Sequence, residues 1–294
     1  MVGAAQALVI EKGSLVCRTH LGLAYAGSQG VAMQLGIAGK VAMVAAGSKG
    51  LGRAAAQALA AEGCAVSICG RGAEALAATK AELETLGVPV LASAVDVTSA
   101  ADLVRWHQAT ETVLGPVAIL ITNTGGPKAA EFANLTDADW CAGVDSTLLN
   151  VVRMTRLALP GMRAMKWGRI VHITSLVAKQ PYPLLTISST LRAGLSGLTR
   201  TLALETARDG ITVNALLPGH VMTDRQLHLA EVKAAAAGIT PEAHFAQQAA
   251  AIPVGRIGRP EEVGAVIAFL CSQPASYLTG QSLLVDGGLV QGTF

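Results

Sequence analysis

From Lys40 to the end of the chain, short apolar runs alternate with segments whose apolar residues recur at helical spacing. Apolar runs bounded by Gly, Pro or Asn are typical of buried strands, and strands that alternate with helices of about 10–15 residues form right-handed βαβ units. Such units build a parallel sheet that helices cover on both faces. The sequence therefore predicts an α/β fold, a doubly wound parallel sheet flanked by helices in a single domain. The predicted strands are 41–46, 65–69, 90–95, 117–122, 169–174, 211–216 and 282–285.

The segments between these strands carry helix start and stop signals. Ser99 and Asp102 predict a capping box, and Gly87 follows the end of a helical segment. Residues 137–164 form one long helical region, for which we expect a break near Pro160. The predicted helices are 53–62, 73–86, 137–164, 187–208 and 261–271, with one more that begins at Ser99.

The first part of the chain does not share this pattern. Residues 1–36 lack a clear periodicity and are rich in Gly, Ala and Gln, and a natural start lies at Met33. We interpret residues 1–36 as a poorly ordered N-terminal extension, with a short packing or interface segment as the alternative. The folded domain is then expected to span residues 37–294.

Charge is scarce for a chain of 294 residues: 14% of the residues are charged and 51% are hydrophobic, whereas about 25% charged is typical. This composition excludes a disordered chain and favours a surface that is partly buried between subunits. The net charge of +2 comes without a block of like charges, which argues against nucleic acid as a partner.

The cysteines, the apolar stretches and the histidines indicate in which compartment the protein is expected and whether it binds a membrane or a metal. The five cysteines are odd in number and form no CxxC pair, so reduced, mostly buried thiols in the cytoplasm are the expectation. We interpret Cys141 and His172 as packing residues. Residues 21–39 contain five glycines and do not resemble a membrane span. The six histidines show no metal-ligand spacing, so we expect neither a metal nor a membrane partner.

A glycine-rich turn between the first predicted strand and the first predicted helix is the clearest candidate binding site. Glycines let the backbone approach a pyrophosphate closely, and a helix N-terminus favours its negative charge. The alternative is a plain tight turn without a ligand. The expected cofactor-binding residues of this turn are Gly47, Ser48, Lys49, Gly50, Leu51 and Gly52.

The end of the second predicted strand bears on the choice of cofactor. A dinucleotide fold that reads NAD places an Asp or Glu there to bind the ribose hydroxyls, whereas this chain has Arg71. A guanidinium group can bind a 2′-phosphate, and Lys49 adds charge from the first turn. We therefore expect NADP(H), unless Arg71 is a solvated turn residue.

Further motifs follow these two in a fixed order along the chain: Asp96-Val97, Asn123-Thr124-Gly125, residues 168–175, Arg192-Ala193-Gly194-Leu195, residues 213–219, residues 258–262 and residues 278–288. With these motifs, residues 37–290 resemble the short-chain dehydrogenase/reductase family, near its 3-oxoacyl-carrier-protein reductase branch. The resemblance implies a Rossmann-type sheet and an oxidoreductase acting on a small molecule. It also implies a homotetramer formed through 140–163, 187–208 and 278–294.

The resemblance assigns roles to residues beyond the glycine-rich turn. It implies that residues 224–252 are the substrate loop, and that the residues after the third, fourth and sixth predicted strands surround the cofactor. The adenine contacts are Asp96 and Val97, the residues that line the cofactor and brace the sheet are Asn123 and Gly125, and those on the nicotinamide side are Pro218, Gly219, Val221 and Thr223.

The chain departs from the family at its catalytic residues. The family's active site has Asn, Ser, Tyr and Lys, and the matching positions are Thr147, Ser175, Ser188 and Arg192. The Tyr donates a proton to the carbonyl oxygen, and the positive charge of the Lys lowers its pKa. Ser188 is a much weaker acid. Arg192 cannot exchange a proton but can hold ribose hydroxyls and stabilise an oxyanion.

Two neighbouring features bear on these departures. Tyr182 lies in the loop between Ser175 and Ser188 and is a candidate substitute acid, with a pocket wall or an interface position as the alternative. In the glycine-rich turn, Ala46 replaces a glycine of the family, and we expect its methyl group to narrow the turn unless Gly47 compensates.

Three functions remain open at this point. The first is an NADP(H)-dependent reductase or dehydrogenase for a carbonyl or alcohol, with a remodelled catalytic tetrad. The second uses the fold for other chemistry, either reduction of a conjugated C=C bond or a dehalogenase-like reaction. The third is a catalytically weak nucleotide-binding protein.

Overall fold

The computed structural model describes residues 9–11, 14–16 and 33–292, and the chain divides into two units, Met1–Gln34 and Leu35–Phe294. In the first unit, β1 (Val9–Glu11) pairs antiparallel with β2 (Ser14–Val16). Most of the predicted extension 1–36 lies outside the described residues, so its order stays a prediction.

Seven parallel strands form the sheet of the second unit. The chain runs outward from β3 through β4 to β5, returns to the other side of β3 at β6, and continues through β7 and β8 to β9. The predicted fold is confirmed, and the strand ends differ from the predicted ones by at most two residues. The strands are β3 (Val41–Val44), β4 (Ala65–Gly70), β5 (Val90–Ala94), β6 (Val117–Thr122), β7 (Gly168–Ile173), β8 (Ile211–Pro218) and β9 (Ser282–Val285).

Helices cover both faces of this sheet because successive strand side chains point to opposite sides. Ala42 and Val44 pack with α1, α2 and α9 on one face, whereas Met43 and Ala45 pack with α3, α5 and α6 on the other. Two of the helices, α7 and α8, lie within the predicted substrate loop 224–252. The helices are α1 (Gly50–Ala61), α2 (Ala73–Glu84), α3 (Ala100–Leu114), α4 (Asp137–Gly143), α5 (Asn150–Met165), α6 (Thr186–Thr206), α7 (Asp224–Ala237), α8 (Pro241–Ala251) and α9 (Pro260–Cys271).

The long helical region after β6 is interrupted earlier than predicted. A π-helical turn, residues 144–149, joins α4 to α5, whereas Pro160 lies inside α5, so the predicted break near Pro160 is wrong. A π turn changes the backbone hydrogen-bond register. The Ser146 carbonyl accepts hydrogen bonds from the Thr124 hydroxyl at 2.6 Å and the Asn150 side-chain amide at 2.7 Å. The turn is thereby tied to the loop that follows β6.

Two smaller predictions are also corrected. Ser99 caps α3 by accepting from the backbone N–H of Asp102 at 3.2 Å, but the Asp102 carboxylate accepts from the N–H of Asp96 rather than completing a capping box. Cys141 is exposed and does not pack in the core, whereas burial raises the pKa of the Cys64 and Cys69 thiols to about 12. None of the described helices is long and apolar enough to cross a membrane.

Candidate active site

The candidate site lies at the carboxyl ends of the strands, where the loops after β3, β4, β6, β7 and β8 meet. The strand order reverses between β3 and β6, and such a switch point opens a crevice at that edge. Parallel strands place the ends of β3, β6, β7 and β8 side by side. The sequence-predicted site residues lie in these loops, in the loop after β5, in the first turn of α1, at the end of β8, in the π turn and in the first two turns of α6.

The glycine-rich turn is held by close backbone packing. The N–H of Gly47 donates to the carbonyl of Cys69 at 2.8 Å, which joins the turn to the end of β4. A β-carbon on Gly52 would overlap the carbonyl oxygen of Ala46 and lie 2.9 Å from the side-chain amide nitrogen of Asn123. Gly52 therefore lets the Asn123 side chain approach the turn closely, whereas its role in lining the cofactor and bracing the sheet stays a prediction.

Ala46 occupies a backbone region that favours glycine. Its φ angle is +46°, a left-handed conformation in which a β-carbon is strained. Gly50 also has a positive φ of +54°, and the side chain of Thr223 packs over it, with its Cγ2 3.4 Å from where a β-carbon would stand. Ala46 therefore adopts this conformation without the freedom of glycine, and whether its methyl group narrows the turn stays a prediction.

Two exposed cations lie in the segments that form this end of the crevice. Lys49, the residue before this helix, is exposed and makes no side-chain cap, and the first helical turn carries no acidic residue. Arg71, directly after β4, is also exposed. The pKa of the Asp96 carboxyl group is lowered, mainly by hydrogen bonds from the N–H and hydroxyl of Thr98 and to a smaller extent by the Arg71 guanidinium. Arg71 and Asp96 thus share one edge of the crevice.

This part of the crevice fits the phosphates of a dinucleotide. The backbone N–H groups at the start of α1 are not capped by a side chain, and a helix N-terminus with free N–H groups attracts anions. Gly70 leaves room as well, since a β-carbon there would lie 2.6 Å from the Ser48 hydroxyl oxygen. Leu51 and Val97 are partly buried, and each packs its side chain against one of the two cores.

The loop after β8 closes the opposite side of the crevice. Gly219 donates its N–H to the carbonyl of Val285 at 3.0 Å, and a β-carbon on it would lie 2.7 Å from the Cα of Asp286. Val221 is buried and forms a backbone bridge with Gly258. Because Thr223 also packs over the glycine-rich turn, Pro218, Gly219, Val221 and Thr223 lie in one segment that faces that turn.

Arg192 and Ser188 form the buried centre of the candidate catalytic group. The Nε of Arg192 donates to the Ser188 hydroxyl at 3.1 Å, and its Nη1 donates to the carbonyl of Thr174 at 2.6 Å. Both side chains are more than nine-tenths buried. Burial chiefly, and repulsion from Arg225 secondarily, lower the pKa of Arg192 from 12.5 to about 10, so the guanidinium is charged at neutral pH.

Two further predicted catalytic residues, Ser175 and Thr147, differ in the hydrogen bonds that their hydroxyl groups make. Ser175 follows β7, next to Thr174, and its hydroxyl accepts from the N–H of Val177 at 3.3 Å. Thr147 lies in the π turn and is fully buried, and its hydroxyl has no hydrogen-bond partner among the residues described. A buried hydroxyl without a partner is costly and calls for a ligand or a water.

Tyr182 is not brought into this hydrogen-bonded group. Its hydroxyl pairs with the side-chain amide of Gln180 at 3.2 Å, and in the described part of the chain it makes no hydrogen bond to Ser175, Ser188 or Arg192. The side chain is half-buried in the loop before α6. A role as substitute acid stays a prediction that this geometry does not favour.

Arg225 is a residue of the site that was not predicted from the sequence. This exposed residue lies in the first turn of α7, and its Nη2 is 2.8 Å from where a β-carbon of Gly126 would stand. It also contributes to the lowered pKa of Arg192. The only sequence signal was its place two residues after Thr223, at the start of the predicted substrate loop.

Comparison with known proteins agrees with this geometry. The model of a protein family described as "Enoyl-(Acyl carrier protein) reductase" matches residues 45–290, which is most of the chain. The chain belongs to the short-chain dehydrogenase/reductase family. The acetoacetyl-CoA reductase of Rhizobium meliloti is 36% identical over 249 residues, which cover 85% of this chain and 98% of that protein. The 3-oxoacyl-[acyl-carrier-protein] reductase of Pseudomonas aeruginosa is 33% identical over 258 residues, 87% of this chain and 99% of that protein.

A solved structure also has the same fold as this chain. The L-sorbose reductase of Gluconobacter frateurii, complexed with NADPH and L-sorbose, superimposes with a TM-score of 0.85 and 31% identity, over 88% of this chain and 100% of that one. As a short-chain dehydrogenase/reductase, this protein is an NAD(P)-dependent oxidoreductase that acts on a carbonyl or alcohol group of a small molecule.

Proposed function

We propose that the protein is an NADP(H)-dependent reductase or dehydrogenase for the carbonyl or alcohol of a small or acyl substrate, with a remodelled catalytic tetrad. The observation that carries the proposal is the uncapped N-terminus of α1, with Lys49 directly before it and Arg71 directly after β4, whose end is hydrogen-bonded to the glycine-rich turn. Two cations beside free N–H groups suit a dinucleotide that carries an additional phosphate.

The residues at this edge have separate tasks in the proposal. Gly47 to Gly52 bring the backbone up to the pyrophosphate, and Arg71 binds the 2′-phosphate with support from Lys49. Asp96 and Val97 flank the adenine, Asn123 and Gly125 line the middle of the crevice, and residues 218–223 hold the nicotinamide end. The cofactor supplies or accepts the hydride when bound.

The catalytic group acts through charge and position. Arg192 is fixed by Thr174 and Ser188, so its positive charge is preorganised to stabilise an oxyanion and to hold ribose hydroxyls. Ser188 accepts from Arg192 and keeps its own proton free to donate, although a serine hydroxyl is a poor final acid. The proton comes from water through Ser175 and Ser188, from the substrate, or from Tyr182 if its loop moves.

Reduction of a conjugated C=C bond is the second candidate. The observation that favours it is a buried guanidinium, Arg192, without a phenol bonded to the same group. Hydride addition to such a bond produces an enolate oxyanion that a fixed cation stabilises without immediate protonation on oxygen. An α,β-unsaturated ketone and its saturated counterpart, each offered with NADPH, separate the two reactions when the products are identified by NMR.

Titration of the purified protein with NADPH and NADH, followed by nicotinamide fluorescence, tests the cofactor assignment. We expect NADPH to bind at least about tenfold more tightly, because one charged hydrogen-bonding partner is worth that much. Arg71→Ala removes this preference. The control is Arg208→Ala, which removes an exposed arginine at the amino end of β8, on the opposite edge of the sheet. Equal binding of both nucleotides contradicts the 2′-phosphate role, and no binding of either contradicts the proposed function.

We also propose the homotetramer that the resemblance implies, with contacts through residues 140–163, 187–208 and 278–294. Apolar side chains in two of these segments support it, since Leu204 and Leu278 are exposed by 76% and 36%. Size-exclusion chromatography with light scattering tests this assembly, and a monomer contradicts it.

A further inference from the structure

Arg225 reaches across the crevice from the start of α7 to the loop after β6. Three atoms of the Arg225 guanidinium lie within 3.5 Å of the position that a β-carbon on Gly126 would occupy. They are Nη2, Cζ and Nη1. The absence of a side chain on Gly126 is what lets a guanidinium lie against the backbone there. Residue 225 therefore has a fixed place at the site although it is exposed.

Arg192 and Arg225 bring positive charge to one end of the site without compensation. Arg192 bonds only to neutral oxygens, those of Ser188 and Thr174, and no carboxylate in the described part of the chain pairs with either arginine. Arg225 is close enough to repel the charge on Arg192. Their segments also meet, since Pro127, next to Gly126, and Leu191, next to Arg192, both lie 3.5 Å from where a β-carbon on Gly143 would stand. Two positive charges close to each other, one of them buried, are unfavourable unless an anion binds near both.

The phosphates of the proposed cofactor have other partners. Lys49, Arg71 and the uncapped N-terminus of α1 lie at the glycine-rich end, whereas Arg192 lies beside Ser175 and Ser188 at the reacting end. The N-terminus of α7 is not a comparable phosphate site, since Thr223 caps it and Asp224 occupies its first turn. The positive charges at this end belong to guanidinium groups, whose fork geometry matches the two oxygens of a carboxylate.

We propose that Arg225, together with Arg192, binds a carboxylate group that the substrate carries close to its reacting carbonyl. This inference rests on the proposed function and narrows the substrate to an oxo- or hydroxy-carboxylate. Arg225 is then a specificity-determining residue, and Arg192 contacts the carboxylate in addition to the oxyanion and the ribose hydroxyls.

Isothermal titration of the full-length protein loaded with NADP⁺ tests the proposal with acetoacetate and its neutral methyl ester. The oxidised cofactor prevents turnover, so the experiment reports binding alone. We expect acetoacetate to bind at least about tenfold more tightly than methyl acetoacetate, and Arg225→Gln to remove most of that difference while the affinity for NADP⁺ changes less than twofold. Arg208→Gln, which makes the same charge change at the opposite edge of the sheet, leaves the difference intact.

Three results overturn the proposal. They are equal binding of the two probes, no binding of acetoacetate to the wild-type protein, and an Arg225→Gln variant that loses NADP⁺ affinity, which would assign Arg225 to the cofactor phosphates. The same titration without nucleotide separates this inference from the proposed function. A preference for acetoacetate that depends on Arg225 in the free protein upholds the carboxylate site even if NADP⁺ does not bind.

Discussion

Arg192 donates a hydrogen bond from Nε to the hydroxyl of Ser188, one helical turn earlier on α6, at 3.1 Å. Its Nη1 donates to the Thr174 carbonyl at 2.6 Å, which ties the guanidinium to the end of β7. The resemblance implies a Tyr and a Lys at these two positions in the family, with the same spacing of four residues. Here the pair holds a cation in place by two hydrogen bonds and contains no phenol.

The first prediction concerns this cation. Arg192→Ala removes a charged donor that we place on the ribose of the cofactor, so the dissociation constant for NADPH is expected to rise about tenfold or more. Nicotinamide fluorescence measures it, and circular dichroism shows whether the variant is folded. Arg192→Lys keeps the charge and is expected to stay within about threefold of the wild-type value. Unchanged binding in a folded Arg192→Ala variant refutes the ribose contact.

The second prediction tests whether restoring a Tyr and a Lys in the catalytic group increases ketone reduction. Ser188→Tyr combined with Arg192→Lys restores a phenol and an ammonium at the family's spacing, and we expect ketone reduction to become about tenfold faster or more. The rate of NADPH oxidation on a panel of ketones measures it. Thr190→Tyr with Arg192→Lys is the control, because Thr190 is exposed on the same helix. No gain with the first pair indicates that the site was rebuilt for a different reaction.

The third prediction uses the strained position in the glycine-rich turn. Ala46→Gly relieves a φ of +46° and is expected to raise the free energy of unfolding by about 0.5–1 kcal/mol. Ala45→Gly, one residue earlier in the core, is expected to lower it by about 1 kcal/mol. Gly52→Ala is expected to cost about 2 kcal/mol or more and to weaken NADPH binding, since its β-carbon overlaps the Ala46 carbonyl. Urea unfolding compares the three variants, and a destabilised Ala46→Gly contradicts the strain.

The sequence was sufficient for the sheet because burial leaves a local signal. The strands Val117–Thr122 and Ser282–Val285 were predicted at both ends, since each is an apolar run followed by turn residues. The π turn at 144–149 has no such signal. One turn of π helix and one of α helix place apolar residues in nearly the same pattern, so only the hydrogen bonds to the Ser146 carbonyl show the difference.

The candidate site was predictable where a motif fixes the backbone and not where two distant segments meet. Gly52 and Asn123 were identified from their motifs, and the structure places them against each other. Arg225 has no motif, because its position depends on a close approach to Gly126, a residue about a hundred positions earlier. Such tertiary contacts determine which charged groups line a site, and they cannot be predicted from a single sequence.

The last prediction concerns pH and the buried imidazole of His172. This residue lies in β7 with no exposed surface, its Nδ1 pairs with the hydroxyl of Thr122 at 2.9 Å, and its Nε2 has no partner in the described structure. Burial lowers the pKa of His172 from 6.5 to about 4. The unfolded chain therefore binds a proton at a higher pH than the folded one. Its contribution to stability is present above pH 6.5 and is lost as the pH falls toward 4.

From pH 7.5 to pH 5.0, this linkage is expected to lower the free energy of unfolding by about 2 kcal/mol, since each pH unit below the unfolded pKa costs about 1.4 kcal/mol. Urea unfolding at both pH values measures the change in the free energy of unfolding. For His172→Gln we expect this change to be smaller by about 2 kcal/mol. His107, whose pKa burial also lowers, contributes equally to both proteins and cancels in the comparison. The carboxyl groups of Asp139 and Glu262, with pKa values of about 2, lose their contribution only at lower pH. The same pH dependence in both proteins would mean that the His172 imidazole does not stay neutral in the folded state.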